Sequence, residues 1–384
     1  MRSHCVRATL VAILCAPAAL AAQDHGAFIV RLGNDTVAVE RYTRSAGQLE
    51  GDLLARSPRT RWFHYTATLR PDGSVGRFAA ELRPIPGAPA APSVRMTLDF
   101  GNDSVISVTT VGDSSKTQQV VVGPVALPMF PNSTVLTELA LRVMLTRHAD
   151  SLAVDQVYPG GAFKSRTVFR RLGHDSTSYD YFGSPVYVRV DQAGRALAVD
   201  AGRTTVKVQV ERVPNAGIEA LAIAFAARDV AGQGLGAISG RDTTRGAVGS
   251  AAVWVDYGRP LVRGRVIFGG LVPWGEVWRT GANAATQLST DKDLVIGGAS
   301  VPAGKYTLWT LPTKEGATLV INSQTGQWGT EYDAKRDFAR VPLTVSALAA
   351  PVERFTISIV PAASGGMLTM DWDRTRFTVP MQLK

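Results

Sequence analysis

The chain has 384 residues, 45% of them hydrophobic, with 41 Lys and Arg against 32 Asp and Glu, for a formal net charge of +9. That length is enough for two ordinary globular cores. The basic surplus is spread along the chain with no run of five like charges, which excludes a polybasic nucleic-acid groove or a basic membrane-binding segment.

At the N-terminus, Arg2 and Arg7 accompany an apolar run from Ala8 to Ala21 that is too short to span a bilayer. It reads as a secretory signal, with cleavage after Ala21 in the small-residue triplet Ala19-Leu20-Ala21. Residues 1–21 are expected to be removed, and no later stretch is apolar and long enough for a transmembrane helix. The only two cysteines, Cys5 and Cys15, lie inside this segment, so the exported form is expected to be cysteine-free. Disulfides, Cys-ligated zinc and thiol nucleophiles are then excluded together. The short signal points to a bacterial envelope protein, periplasmic or secreted, and Asn34, Asn102 and Asn132 read as turn residues rather than glycan acceptors.

Residues 22–231 read as an antiparallel β region. Phe28 to Leu32, Thr36 to Tyr42, Trp62 to Leu69 and Val94 to Asp99 are rich in β-branched and aromatic residues between turn formers. Arg70-Pro71-Asp72-Gly73-Ser74 and Asp191-Gln192-Ala193-Gly194-Arg195 are hairpin turns, and the proline-rich stretch from Pro84 to Pro92 is a surface loop. Helical spacing replaces the β rhythm near 134–148 and 217–230, with Ser133 or Thr134 able to cap the first helix. The glycine-dense segment 232–240 follows a helical pattern rather than a strand, so it reads as a linker and not as a phosphate-cradling loop.

Residues 241–384 read as an antiparallel β-sandwich of short strands: Ala251 to Tyr257, Arg263 to Phe268, Thr286 to Ser289, Leu294 to Ile296, Lys305 to Leu311, Ala317 to Asn322, Arg354 to Pro361, Leu368 to Trp372 and Arg376 to Val379. Gly297-Gly298 suits a tight hairpin, and Asp333 to Phe338 one helical turn at most. The predicted fold class is therefore mainly β.

The histidines His25, His64, His148 and His174 all precede the linker, so the C-terminal part has no Ser-His-Asp triad or His-ligated metal of its own. No metal or other cofactor is indicated. Arginines, aromatics and glycines concentrate between Tyr257 and Asn283, and Tyr257, Arg259, Arg265, Trp274, Arg279 and Asn283 are the candidate binding residues. Such a mixture suits stacking plus bidentate donation to a carboxylate, phosphate or sugar, and it equally suits a buried arginine network. Asp256 and the carbonyls of Gly269-Gly270 are the expected acceptors for Arg279.

At these residues the sequence resembles the secreted-protein family catalogued as domain of unknown function 2911. The likeness runs from about Arg241 to Lys384 through Tyr257-Gly258-Arg259-Pro260, Arg263-Gly264-Arg265, Leu271-Val272-Pro273-Trp274-Gly275, Trp278-Arg279-Thr280-Gly281-Ala282-Asn283, Val301-Pro302-Ala303-Gly304-Lys305-Tyr306 and Gln327-Trp328-Gly329. The resemblance implies an exported bacterial protein and no transferable reaction. Members usually carry glutamate where this chain has Ala284, and tyrosine is common where it has Trp274.

The leading functional expectation is a non-catalytic binding or interaction module, its partner a small molecule, a glycan or an envelope protein. The rival is a hydrolase of an envelope or extracellular polymer using Glu276, Asp371 or Asp373 as acid and base.

Overall fold

The computed structural model describes residues 23–384, apart from 162, 182 and 364. The expected signal segment therefore lies outside the described residues. One expectation needs correcting at the level of the chain itself: it is not cysteine-free, because it contains Cys5 and Cys15. The described residues are mainly β, in two hydrogen-bonded sheets of fifteen and nine strands.

The first sheet is nearly all meander. Eight strands follow one another from Asp24–Leu32 to Ser114–Val121, each antiparallel to the last, and Asp24–Leu32 pairs on its other side with Gln209–Val213. From there the order runs back through the chain to Ala126–Pro128, which joins Ser151–Val157 as the sheet's one parallel pair. Both expected hairpin turns form: Arg70 N donates to Ser74 O at 2.7 Å, and Asp191 N to Arg195 O at 3.0 Å.

Two helices cover opposite faces, as strand alternation requires. Helix α1 (Thr134–Thr146) is capped by Ser133, whose hydroxyl accepts from Leu136 N at 3.3 Å. It is apolar on nearly every side and buried on nearly every side, within one core cluster that also holds Phe28, Val30, Leu53, Phe78, Val120, Leu127 and Phe169. Val120 and Leu127 belong to the two end strands of the sheet. Strand Val75–Arg83 lies against Ala126–Pro128, eleven places away in the sheet order, so the sheet curves back on itself. Helix α2 (Ile218–Val230) packs Ile218, Ala222, Phe225 and Ala226 on Ala27, Val39 and Leu54 of the outer face. The proline-rich loop is largely exposed, but it is not only an excursion: Ile85 is buried in this α2 cluster.

Burying α1 brings two carboxylates inside, and both are matched. Glu138, fully buried, accepts from Arg44 Nη1 at 2.7 Å, Arg212 Nη2 at 2.5 Å and Ala196 N at 2.9 Å. Glu40, also fully buried, accepts from Tyr65 Oη at 2.7 Å and from the first amides of α1, Thr134 N at 2.7 Å and Val135 N at 3.0 Å. A carboxylate at a helix N-terminus satisfies amides that have no intrahelical partner.

The second sheet is antiparallel throughout, and most expected strands are present, including Leu294–Ile296 and Ala317–Asn322 with their predicted limits. Two differences stand out. The short strands expected near the C-terminus are parts of two long ones, Asp337–Ala362 and Gly365–Leu383, whose pairing shifts register between Ala347 and Thr356. And Arg263 to Phe268 is not a strand. Arg263 and Gly264 both have positive φ, 50° and 69°, and two such residues in succession turn the chain out of extended backbone.

That irregular segment joins the two parts. Asn34 N donates to Arg263 O at 3.0 Å, and the Arg263 side chain pairs with Asp35. A Cβ at Gly264 would lie 2.1 Å from Asn34 Nδ2, and one at Gly33 2.3 Å from Arg263 O, so both glycines are required by close approach. No helix among the described residues is long and apolar enough to cross a membrane.

Glu138 provides a direct check on the matched interior. Glu138→Ala leaves two arginines buried without their carboxylate and should cost about 3 to 5 kcal/mol, read as a lowered urea midpoint with an unchanged slope.

Candidate functional site

The site is built where the two parts meet. A cavity of about 340 Å³ is lined from the first part by Leu32, Arg203 and Lys207, and from the second by Arg265, Glu276, Trp278, Arg279, Trp309, Tyr332 and Trp372, among others.

Each wall is held by local chemistry. In the loop after strand Ala196–Asp200, Thr204 is buried, donates its hydroxyl to Ala201 O at 2.7 Å, and accepts from Val206 N at 3.2 Å and Lys207 N at 3.4 Å. This turns the chain so that Lys207 stands at φ 56°, a conformation that costs a non-glycine residue about 1 kcal/mol or more. Opposite, Trp278 exchanges backbone hydrogen bonds with Thr310 at 2.8 Å and donates its Nε1 to Gly281 O at 3.1 Å. Its ring stacks on Trp372 at 5.5 Å and meets Phe355 edge-on at 5.1 Å. Thr280 is fully buried at φ 51° with its hydroxyl 2.8 Å from that of Thr310. A Cβ at Gly258 would lie 2.0 Å from Ala282 O, which explains the glycine between Tyr257 and Arg259.

The electrostatics are one-sided. Arg203, Lys207, Arg265 and Arg279 line the cavity, against the single carboxylate Glu276, which is exposed. Arg279 donates from Nη1 to Gly329 O at 3.0 Å, its Nε is buried without a partner, and no described carboxylate pairs with it. Asp256, its expected acceptor, is taken by Arg241 and Thr243 instead. Arg265 donates only to main-chain oxygens, from Nε to Val262 O at 3.0 Å and from Nη2 to Leu261 O at 2.5 Å. Burial pushes the Arg279 guanidinium down to about 10, so it remains charged at neutral pH. Burial first, and then the charges of Arg279 and Arg265, push the Lys207 ammonium down to about 8. Trp372, on the wall, has its Nε1 buried and unpartnered.

Of the residues singled out from the sequence, Arg265 and Arg279 come together here with Trp278. Tyr257 is buried beneath the sheet, its hydroxyl donating to Ile357 O at 3.3 Å and accepting from Ile357 N at 2.9 Å. Arg259 bonds Asp242 at 2.8 Å, Phe355 O at 3.1 Å and Thr356 Oγ1 at 2.8 Å. Trp274 is exposed and stacked on Phe268 at 6.2 Å. Asn283 turns the chain at φ 63° and accepts from Gly329 N at 2.9 Å through its carbonyl. Both oxygens of Asp371 accept from Arg376, at 2.7 and 2.6 Å, which ties this carboxylate into an ion pair. Among the described residues no group of three or more His, Cys, Asp or Glu is placed to hold a metal ion.

The second part is thus an antiparallel β unit carrying arginines and aromatics toward a cavity it shares with the first. Residues 239–381 match the family described as a protein of unknown function, DUF2911, and the N-terminal region is unmatched. No curated protein matches the chain. Among solved structures, a DUF1089 family protein from Pseudomonas aeruginosa is 14% identical over 43% of this chain and 90% of its own, with a TM-score of 0.33. A β-barrel-like protein of domain of unknown function DUF1849 from Brucella abortus is 10% identical over 50% of this chain and 94% of its own, with a TM-score of 0.32.

The uncompensated charges predict how stability responds to pH. Lys207 has a folded-state pKa of about 8 against the ordinary 10.5. Below pH 8 the folded chain carries a charge that its surroundings disfavour. Between the two values the unfolded chain holds a proton that the folded one lacks, so stability rises with pH across that window. Lys207→Met should therefore raise the melting temperature at pH 7, with the gain shrinking toward pH 10.5. Arg279→Met, which removes a charge without an acidic partner, should stay within about 1 kcal/mol of wild type, not the 3 to 5 lost when a buried pair is broken.

Proposed function

We propose that the chain is an exported envelope protein that binds a small anionic molecule, a carboxylate or phosphate ester, in the cavity between its two parts. The observation that carries this reading is Arg279: a half-buried guanidinium aimed at a cavity, with one carbonyl partner and no carboxylate. Desolvating a charge without pairing it is costly, and a ligand that supplies the opposite charge recovers that cost as affinity. A planar guanidinium matches a carboxylate or phosphate bidentately, and Lys207 adds a point charge beside it. The walls Trp278, Trp309 and Trp372 suit a ligand with a flat or apolar body.

In this reading Tyr257 and Arg259 hold the fold while Arg265 and Arg279 face the ligand. The second sheet works as a β-sandwich folded back on itself, with Tyr257 bridging to Ile357 and the 278–283 loop at one end. The two parts act as domains with the ligand between them. Paired-carboxylate hydrolysis is disfavoured because Asp371 is committed to Arg376.

Calorimetry and thermal shift on the full chain test the proposal with inorganic phosphate, citrate, pyruvate and glucuronate, against glucose as a neutral control. Saturable stabilisation by anions alone, weakening with added salt, is the expected result. Arg279→Met should lower affinity at least about tenfold, or 1.4 kcal/mol. Equal responses from wild type and Arg279→Met, or none from any anion at millimolar concentration, would refute it.

A further inference from the structure

The cavity holds a nucleophile that anion binding alone does not need. Lys207 is fixed by the Thr204-centred turn at φ 56°, lines the same cavity as Arg265 and Arg279, and its side-chain amine has no hydrogen-bonded or ion-paired partner among the described residues. Were it only a counter-charge for the ligand, an extended lysine in a relaxed turn would serve as well. A lysine amine withdrawn from water and set beside other cations is the arrangement that leaves it unprotonated, and so nucleophilic, at ordinary pH. The depression of its pKa to about 8 agrees with that geometry.

We propose that Lys207 captures the carbonyl carbon of an α-keto acid as an imine, while Arg279 and Arg265 hold the ligand's carboxylate. This rests on the anion-binding reading and names its ligand class. The unprotonated Nζ forms a C–N bond to the keto carbon as the carbonyl electron pair moves to oxygen, which takes up a proton. Loss of that oxygen as water leaves a protonated imine. One amine, one ketone and one proton thus give one iminium and one water, with no change of oxidation state. The reverse reaction releases the ligand, so the step is reversible capture and needs no co-reactant.

Trapping tests it. The full chain is incubated with pyruvate and cyanoborohydride, which reduces imines to stable amines, then digested and read by mass spectrometry. The expected result is a saturable adduct on the peptide holding Lys207, ahead of exposed lysines such as Lys292 and Lys335, with a rate that rises between pH 6 and pH 8. Lys207→Arg keeps the charge and should abolish the adduct. Arg279→Met should slow labelling by pyruvate about tenfold more than labelling by the neutral aldehyde propanal, which feels only the loss of a charge beside Lys207. If calorimetry shows pyruvate bound while no adduct forms, or adducts spread evenly over all lysines, covalent capture is overturned and the anion site stands. If pyruvate neither binds nor labels while phosphate or citrate binds, the keto-acid assignment alone falls. If no anion binds, both readings fall.

Discussion

Two cations, Arg279 and Lys207, face one cavity from opposite parts of the chain, and neither is ion-paired to a carboxylate among the described residues. Elsewhere the buried carboxylates are matched. Glu138 is matched by Arg44 and Arg212, Glu40 by the first turn of α1, and Asp52 accepts from Arg41, Trp62 and His64 on the outer face of the first sheet. Arg279 lacks a carboxylate, as does the buried Arg56, which donates to Thr36 O, and of these two Arg279 lines the cavity. An unpaired cation on a cavity wall is the condition under which an outside anion gains affinity by completing the pairing.

The cavity depends on the joint between the two parts. Lys207 and Arg203 come from the loop between two strands of the first sheet, Arg265 and Arg279 from irregular segments beside the second. What sets their separation is the contact of the Gly33-Asn34 turn with Arg263-Gly264, where two glycines let backbones approach and Arg263 pairs with Asp35. Arg263 is almost fully buried there with its Nε and Nη2 unpartnered. A ligand spanning Lys207 and Arg279 would bind the two parts to each other, so occupancy and the rigidity of the joint are linked.

Much of this architecture was legible in the sequence. Alternation in Phe28 to Leu32 and Trp62 to Leu69 located strands, and apolar spacing after Ser133 located α1, because both signals are local. The long strands Asp337–Ala362 and Gly365–Leu383 were read as fragments, since register shifts and exposed alternation hide continuity. Arg263 to Phe268 looked like a strand by composition, although positive φ at Arg263 is imposed by the Asn34 contact, a tertiary cause. At the site, Arg279 and Arg265 stood out in a dense run of arginine, glycine and aromatic residues. Lys207 did not: Thr204-Thr205-Val206-Lys207-Val208 reads as an ordinary strand, and only the fold places it opposite Arg279. Trp372 was visible merely as the centre of Asp371-Trp372-Asp373, where the carboxylates drew attention and the indole lines the wall.

The central claim, that an anion completes an unpaired cationic cavity, is tested most directly by proton uptake on binding. Oxalate carries both charges from pH 6 upward, so any proton that moves belongs to the protein. If oxalate settles beside Lys207, it raises a pKa that starts at about 8, and titration calorimetry in two buffers of different ionisation enthalpy at pH 8 should give uptake of about half a proton per site. Uptake should fall toward zero at pH 6 and vanish in Lys207→Met. Binding at pH 8 with no proton uptake would contradict the account, because the anion would then lie somewhere other than between these two cations.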